Sequence, residues 1–261
     1  MALMIPSTRR ILGEAAKRQL ADALGDSPET ALPVHLLRKG HGLVHMIGDL
    51  PGFAAVVIED YDVGSELMAF GSDVLALWHL LSGMDAWEAV NAPAAIAAPL
   101  AAIMQHEMGL PNRVVDDIYQ VPAGPVAVVP NADVRLLTVA DAAMLDDTPE
   151  DIRLGFDDDL RCVLEEELVA AAVVDGRVVA TGSTYGLCEP YVDIAVSTLE
   201  DYRCRGYARA AASLVSAGTQ ALGRVPIWSC APTNIGSLQV ADRLGFREVS
   251  RRANIWVEAS N

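Results

Sequence analysis

The stretch that decides the fold begins Tyr191-Val-Asp-Ile-Ala-Val196 and continues through Tyr202-Arg-Cys-Arg-Gly-Tyr-Ala208. The first run is apolar and rich in β-branched residues, which predicts a strand. After Ala208 the apolar residues recur at helical spacing as far as Leu222, which predicts a helix with one buried face. A further apolar run from Val225 to Cys230 predicts a second strand.

The loop between the first strand and its helix carries Arg203, Arg205 and Gly206. The first N–H groups of a helix have no intrahelical acceptor, and the helix dipole favours an anion at that end. Gly206 would let the backbone approach such an anion closely. The loop therefore predicts a phosphate site, although this short motif alone is equally compatible with a plain basic turn.

A second helix follows the second strand. Asn234 fits its N-cap, and Gly245 fits the left-handed position after its last turn, with Phe246 as the apolar residue that follows. The apolar positions between these ends fall on one side of the helix, namely Leu238, Ala241 and Leu244.

Together these segments resemble the GCN5-related N-acetyltransferase (GNAT) superfamily, and within it the FR47-like and glycine-N-acyltransferase-like branch. The resemblance rests on Thr198-Leu-Glu-Asp-Tyr-Arg-Cys-Arg-Gly-Tyr-Ala208, Trp228-Ser-Cys-Ala-Pro-Thr-Asn234, Ser237 and Ala241-Asp-Arg-Leu-Gly-Phe246, and covers roughly residues 134 to 258. It implies a GNAT fold with a mixed central sheet in the C-terminal half, and acetyl-CoA or another acyl-CoA as co-substrate. No metal is implied.

The resemblance also assigns positions. The strand before the loop would line the pantetheine arm, the loop would hold the pyrophosphate, and the second helix would border the arm. The expected acyl-CoA residues are Val196, Ser197, Thr198, Arg203, Cys204, Arg205, Gly206, Tyr207, Ala208, Asn234 and Ser237.

Acyl transfer to an amine needs a neutral amine, a polarised carbonyl and a proton for the departing thiolate. Asp193 lies on the strand where many members of the superfamily place a glutamate base, so it is the candidate base; it could equally hydrogen-bond a neighbouring loop. Many members also have a tyrosine acid at the position of Ala241. Its absence leaves another proton donor, namely Tyr185, Ser237 or Cys230, or an unassisted thiolate.

These residues are compatible with two functions. The first is an acetyl-CoA-dependent N-acetyltransferase acting on a primary amine of a small molecule or a protein. The alternative is a catalytically weak acyl-CoA-binding or sensing protein. The acceptor is not indicated by any motif, and the protein would be a monomer or a homodimer.

The N-terminal half predicts a smaller α/β domain that resembles a degenerate half-GNAT, with domains at 1–125 and 131–261. It has no equivalent of the phosphate loop before residue 130, so we expect it to serve as a lid, as a substrate-side wall or as structure. The expected elements are one or two strands between Val34 and Ile47, a strand at Phe53 to Ile58, helices at Val74 to Leu81, Ala86 to Asn91 and Ala94 to Met108, and a strand near Val115 to Val121.

The C-terminal half predicts a β-hairpin. Asp175-Gly176 separates Leu168 to Val174 from Val178 to Tyr185, and this dipeptide favours a two-residue turn. With the strand from Tyr191 to Val196, the hairpin predicts antiparallel strands followed by a parallel one.

Composition excludes several classes of function. A net charge of −16 and a pI near 4.6 argue against a nucleic-acid partner. The four cysteines form no C-x-x-C pair, which indicates neither a zinc site nor a disulfide framework and is typical of a cytoplasmic protein. No segment is long and apolar enough for a membrane span. The acidic runs at 157–159 and 165–167 could attract a cationic amine or simply be solvated.

Overall fold

The computed structural model describes residues 10–60, 65–146, 148–149, 152 and 160–258. The chain divides into two compact units: Met1–Ile118 with Arg251–Asn261, called here the N-terminal unit, and Tyr119–Ser250, the C-terminal unit. The division into independent domains at 1–125 and 131–261 stays a prediction.

The N-terminal unit is built from helices and strands that follow one another along the chain. Its elements are β1 (Arg10–Ile11), α1 (Glu14–Leu24), α2 (Ala31–Lys39), β2 (Leu43–Ile47), β3 (Ala55–Glu59), β4 (Glu66–Gly71), α3 (Val74–Leu81), β5 (Ala89–Pro93), α4 (Ala94–Met108) and β6 (Asn112–Pro122), which continues past the end of the unit. Strands β1 to β4 pair antiparallel in sequence order, whereas β4 and β5 are parallel.

The C-terminal unit repeats this order. Its elements are β7 (Val134–Leu136), α5 (Ala142–Asp146), α6 (Leu160–Glu166), β8 (Val169–Val174), β9 (Arg177–Tyr185), β10 (Tyr191–Thr198), α7 (Tyr207–Ala221), β11 (Val225–Cys230), α8 (Ile235–Arg243) and β12 (Phe246–Val257). Strands β7 to β10 are antiparallel and β10 and β11 are parallel. The expected antiparallel-then-parallel order is confirmed. The far part of β12 belongs to the N-terminal unit, where it pairs antiparallel with β5.

Most of the predicted elements are present. The hairpin turns at Asp175 and Gly176, whose φ angles of 51° and 78° are the left-handed pair that a two-residue turn requires. In the N-terminal unit, the strand expected at Phe53 to Ile58 and the helices expected at Val74 to Leu81 and Ala94 to Met108 are confirmed.

One N-terminal prediction is right in part and another is wrong. One strand of the region Val34 to Ile47 is present as β2, but the segment from Val34 to Lys39 is part of helix α2, because Gly40 adopts a left-handed φ of 78° and ends a helix rather than separating two strands. The helix expected at Ala86 to Asn91 is absent, and from Ala89 the segment is instead strand β5, whose Val90 is fully buried beside β4. An apolar run this short does not distinguish a helix from a buried strand, so tertiary packing decides.

The core of the C-terminal unit fixes α7 against the sheet. Gly182 on β9 faces this helix, and a Cβ there would lie 3.1 Å from the Cβ of Ala211, so any larger residue would push α7 away by a few tenths of an ångström. Trp228 on β11 and Phe246 on β12 meet edge to face with centroids 5.6 Å apart. Among the described residues, no helix is long and apolar enough to cross a membrane.

A carboxylate joins β7 to the turn that follows it. Asp141 accepts hydrogen bonds from the Arg135 guanidinium at 2.6 and 3.0 Å, and from the backbone N–H of Thr138 at 2.8 Å. The bond from Arg135 contributes most to holding the pKa of Asp141 well below its ordinary value, followed by the bond from Thr138. The ionised form therefore stabilises the folded state.

Asp141→Ala should lower the free energy of unfolding by about 1 kcal/mol at neutral pH, because it removes a cap. Since the folded pKa is depressed, this contribution is present above the ordinary aspartate pKa and is lost as the pH falls through the folded value. Urea unfolding at neutral and acidic pH should show the difference between wild type and variant shrinking in acid. Asp242→Ala, which removes an exposed pair with Arg247, is the control and should change little.

Candidate active site

Strands β10 and β11 separate partway along their length. Their parallel pairing begins at Tyr191 and Val225 and ends at Asp193 and Ile227. Strand β10 nevertheless continues to Thr198, still paired with β9, and β11 continues to Cys230. A cleft thus opens between the two strands beyond Asp193.

The backbone of β10 presents hydrogen-bonding groups to this cleft. Val225 N–H donates to Pro190 C=O at 2.9 Å, and Leu199 N–H donates to Val179 C=O on the other side at 3.0 Å. Because successive residues alternate between neighbours, the N–H and C=O of Val196 and Thr198 point toward β11, where the pairing has ended. The two N–H groups and Val196 C=O are available to an extended ligand, Thr198 C=O accepts from Arg203 Nε at 3.4 Å, and the backbone of Ser197 faces β9.

The loop after β10 delivers helix α7 with its N-terminus uncapped. Cys204 and Gly206 both have positive φ angles, 61° and 84°, and Gly206 is the N-cap residue. No side chain in the described part of the chain caps this helix. The first helical bond runs from Ala210 N–H to Gly206 C=O at 3.0 Å, so the N–H groups of residues 206 to 209 have no intrahelical acceptor.

Three arginines surround this end of α7. Arg205 is exposed, donates to Asp201 C=O at 2.9 Å and lies 5.0 Å over the ring of Tyr202. Arg203, also exposed, donates to Thr198 C=O at 3.4 Å. The Nε of Arg209 is buried without a hydrogen-bond partner among the described residues, as is Thr198 Oγ1. The arrangement is electropositive and carries unused donors.

The side chain of Tyr207 is engaged within the protein. Its ring is buried at 8% exposure, and its hydroxyl donates to Asp133 at 3.2 Å. Burial raises the pKa of Tyr207, and the contact with Asp133 adds to this. The side chain therefore anchors the start of α7, while Cys204 stays exposed and Ala208 is half-buried.

Asp193 lies where the two strands separate. It is half-buried, and its Oδ1 accepts a hydrogen bond at 3.0 Å from Ile194 N–H, at the end of the paired section. Tyr185 stands directly opposite on β9 and therefore shares the face of the sheet with Asp193. The structure brings the expected base and one candidate proton donor together.

The side chains expected from α8 are engaged within the protein. Asn234 Oδ1 accepts from Ser237 N–H at 3.2 Å, which confirms the predicted N-cap. Ser237 Oγ accepts from Trp228 Nε1 at 2.8 Å. Gly245 has the predicted positive φ, 84°. Ala241 is fully buried in the apolar core, so the position expected to hold a tyrosine has no polar group.

Sequence reasoning missed Glu167. Its carboxylate accepts from Thr184 Oγ1 at 2.6 Å, Gly186 N–H at 2.9 Å and Leu187 N–H at 3.1 Å, and so holds the residues on both sides of Tyr185. Glu167 therefore departs from the solvated surface expected of the acidic run 165–167, and composition could not single it out. The other acidic run, 157–159, lies outside the described residues.

Comparisons with known proteins show which family and which solved structures the chain resembles. Residues 169–252, which are less than half of the chain, match the family of GNAT acetyltransferases. A solved Drosophila protein shares the fold with a TM-score of 0.71 at 14% identity, covering 96% of this chain and 98% of its own. A GCN5-related N-acetyltransferase-like protein from Streptococcus suis has a TM-score of 0.67 at 20% identity, covering 94% and 100%. No curated protein matches.

A further structure, a tandem GNAT protein from the clavulanic acid biosynthesis pathway, has a TM-score of 0.55 at 15% identity and covers 97% of this chain and 99% of its own. At these identities the solved structures establish the fold alone, and the predicted fold class is confirmed. The family match and the fold together support the GNAT superfamily.

Glu167→Ala should lower the free energy of unfolding by about 2–3 kcal/mol, because Thr184 Oγ1 and the loop N–H groups lose a charged acceptor. Chemical denaturation measures the change. Glu165→Ala, two residues earlier and exposed, is the matched control and should fall within about 0.5 kcal/mol of wild type. Equal effects of the two variants would contradict the role assigned to the Glu167 carboxylate.

Proposed function

We propose that the protein is an acyl-CoA-dependent N-acetyltransferase that transfers an acetyl group to a primary amine of a small molecule or protein. One observation carries this proposal: the cleft between β10 and β11 opens beside the uncapped N-terminus of α7. An extended chain with amide groups fits the first feature, and a pyrophosphate fits the second.

The residues present fit acyl-CoA. The N–H groups of Gly206, Tyr207 and Ala208 would receive the pyrophosphate, with the guanidiniums of Arg203 and Arg205 beside it. A Cβ at Gly206 would meet no atom within 4 Å, so there is open space at the point of closest approach.

The pantetheine arm would pair with the strand that borders the cleft. The backbone of Val196 and Thr198 offers it hydrogen bonds, and the unpartnered Thr198 Oγ1 lies at the same edge. Ser197, Asn234 and Ser237 would border the arm through packing, because the last two already bond within α8 and to Trp228.

Asp193 is the proposed base. The amine nitrogen attacks the thioester carbonyl, the C–S bond breaks after a tetrahedral intermediate, and Asp193 accepts the proton lost by the amine. The N–H of Val196 faces the cleft and would stabilise the oxyanion. The thiolate takes a proton from Tyr185, from Cys230 or from solvent, since Ala241 offers none.

One feature supports the expected location. None of the four cysteines forms a disulfide bond, and Cys162, Cys188 and Cys204 are exposed, which supports a reducing, cytoplasmic location. We also place the protein in the FR47-like and glycine-N-acyltransferase-like branch, as a monomer or homodimer.

The second candidate is an acyl-CoA-binding or sensing protein with little turnover. Ala241 favours it, because a fully buried alanine stands where a proton donor was expected. Both functions require acyl-CoA binding, so turnover distinguishes them.

Gly206→Asp should abolish acetyl-CoA binding measured by calorimetry, because it places a carboxylate at the pyrophosphate position. Gly206→Asn has nearly the same size and the same tolerance of a left-handed φ, so the difference between the variants measures charge. Gly223→Asp, at a left-handed glycine beyond the other end of α7, should bind normally. Unchanged affinity in Gly206→Asp would refute the phosphate site.

Asp193→Asn should slow release of free CoA thiol from acetyl-CoA with an amine panel by about 10²–10⁴-fold, the range for loss of a general base. Binding of acetyl-CoA should be retained. No thiol release from the wild type over a wide panel, with tight binding intact, would favour the sensing function instead.

A further inference from the structure

The two units contain the same strand arrangement at corresponding positions. In the N-terminal unit β4 and β5 pair at Glu66 with Ala89, Leu67 with Val90 and Met68 with Asn91, and the pairing then ends although β4 continues to Gly71. This ladder begins with the same kind of hydrogen bond as the ladder between β10 and β11, since Ala89 N–H donates to Ser65 C=O at 3.1 Å. The N-terminal unit therefore has its own cleft between parallel strands.

Arg252 fills that cleft. This residue of β12 is 2% exposed, and its Nη2 donates to Ala69 C=O at 2.6 Å and to Asn91 C=O at 3.1 Å, one on each side of the cleft. Its Nε donates to Asn91 Oδ1, and its guanidinium carbon lies 4.4 Å over the ring of Phe70.

These contacts fall at the end of the ladder. The pairing of Met68 with Asn91 places Ala69 N–H against Asn91 C=O, and this carbonyl also accepts from the guanidinium. The same position in the C-terminal unit lies between Ile194 and Ile227, beside Asp193. The N-terminal cleft is thus bridged by a side chain.

The phosphate end of the N-terminal cleft is also occupied by the chain itself. Residues 72–73 alone connect β4 to α3, whereas residues 199–206 connect β10 to α7. Asp73 caps α3 by accepting from Ala76 N–H at 3.0 Å. A carboxylate at this helix N-terminus satisfies one of the donors that a phosphate would use and repels the phosphate charge.

We propose that the N-terminal unit contains a guanidinium-binding cleft, permanently occupied by Arg252, and that this side chain together with Asp73 closes the second cofactor-type site of the chain. The cleft selects a planar, forked cation with an aromatic face below it, which lysine cannot imitate. With the N-terminal cleft closed, each chain has one acyl-CoA site. This number of sites rests on the proposed function, whereas the occupancy of the cleft by Arg252 does not.

Hydrogen exchange of the purified full-length chain tests the occupancy. In Arg252→Ala, peptides covering 66–71 and 89–93 should exchange roughly tenfold faster, since charged hydrogen bonds to both strands are lost. Added methylguanidinium should restore protection, whereas methylammonium should not. The control is Arg251→Ala, whose side chain is exposed and pairs with Asp116 at 2.7 Å; its exchange should match wild type.

Arg252→Lys is the second variant, for use should the alanine variant not fold. It keeps the charge but loses the fork, so the same peptides should lose protection relative to Arg251→Lys. Wild-type exchange in the Arg252 variants, or equal recovery with methylammonium, would overturn the guanidinium cleft.

Calorimetry with acetyl-CoA tests the closure. The expected result is one site per wild-type chain and none in Gly206→Asp. Two sites per chain, or one remaining in Gly206→Asp, would overturn the closure. No binding to the wild type would refute the proposed function instead, and the exchange experiment would still decide the occupancy of the cleft.

Discussion

The loss of hydrogen bonding between parallel strands is the constraint on which the rest of the structure depends. A backbone N–H or C=O left without a partner in a protein interior costs as much as a lost hydrogen bond. Strands β10 and β11 part at Asp193 and Ile227, and beyond that point Val196 and Thr198 turn such groups toward the cleft. Something with complementary groups must fill the cleft, whether solvent, a ligand or a side chain.

The remaining elements hold that cleft open. Gly182 lets α7 approach β9, so the helix N-terminus is fixed beside the end of β10. Trp228 packs against Phe246 and donates to Ser237, which fixes β11 to α8 on the far side. Glu167 holds the turn after Tyr185. Each wall of the cleft is thus anchored by a contact outside it.

Local signals explain what could be predicted from the sequence. Asp175-Gly176, Asn234 and Gly245 each require a specific backbone conformation, and the structure has it at all three. The helix α2 and strand β5 were mistaken because short apolar runs are decided by packing. Glu167 and Arg252 could not be found, since their partners lie far away in sequence and only the folded chain brings them together.

The short connection between β4 and α3 has a consequence for protein engineering. Residues 72–73 leave no length of backbone to surround a phosphate, and Asp73 and Arg252 occupy the two ends of the cleft independently. Removing either side chain would expose unsatisfied groups without creating a binding loop. Creating a second nucleotide pocket would need an inserted loop as well as two substitutions, so no single substitution can create it.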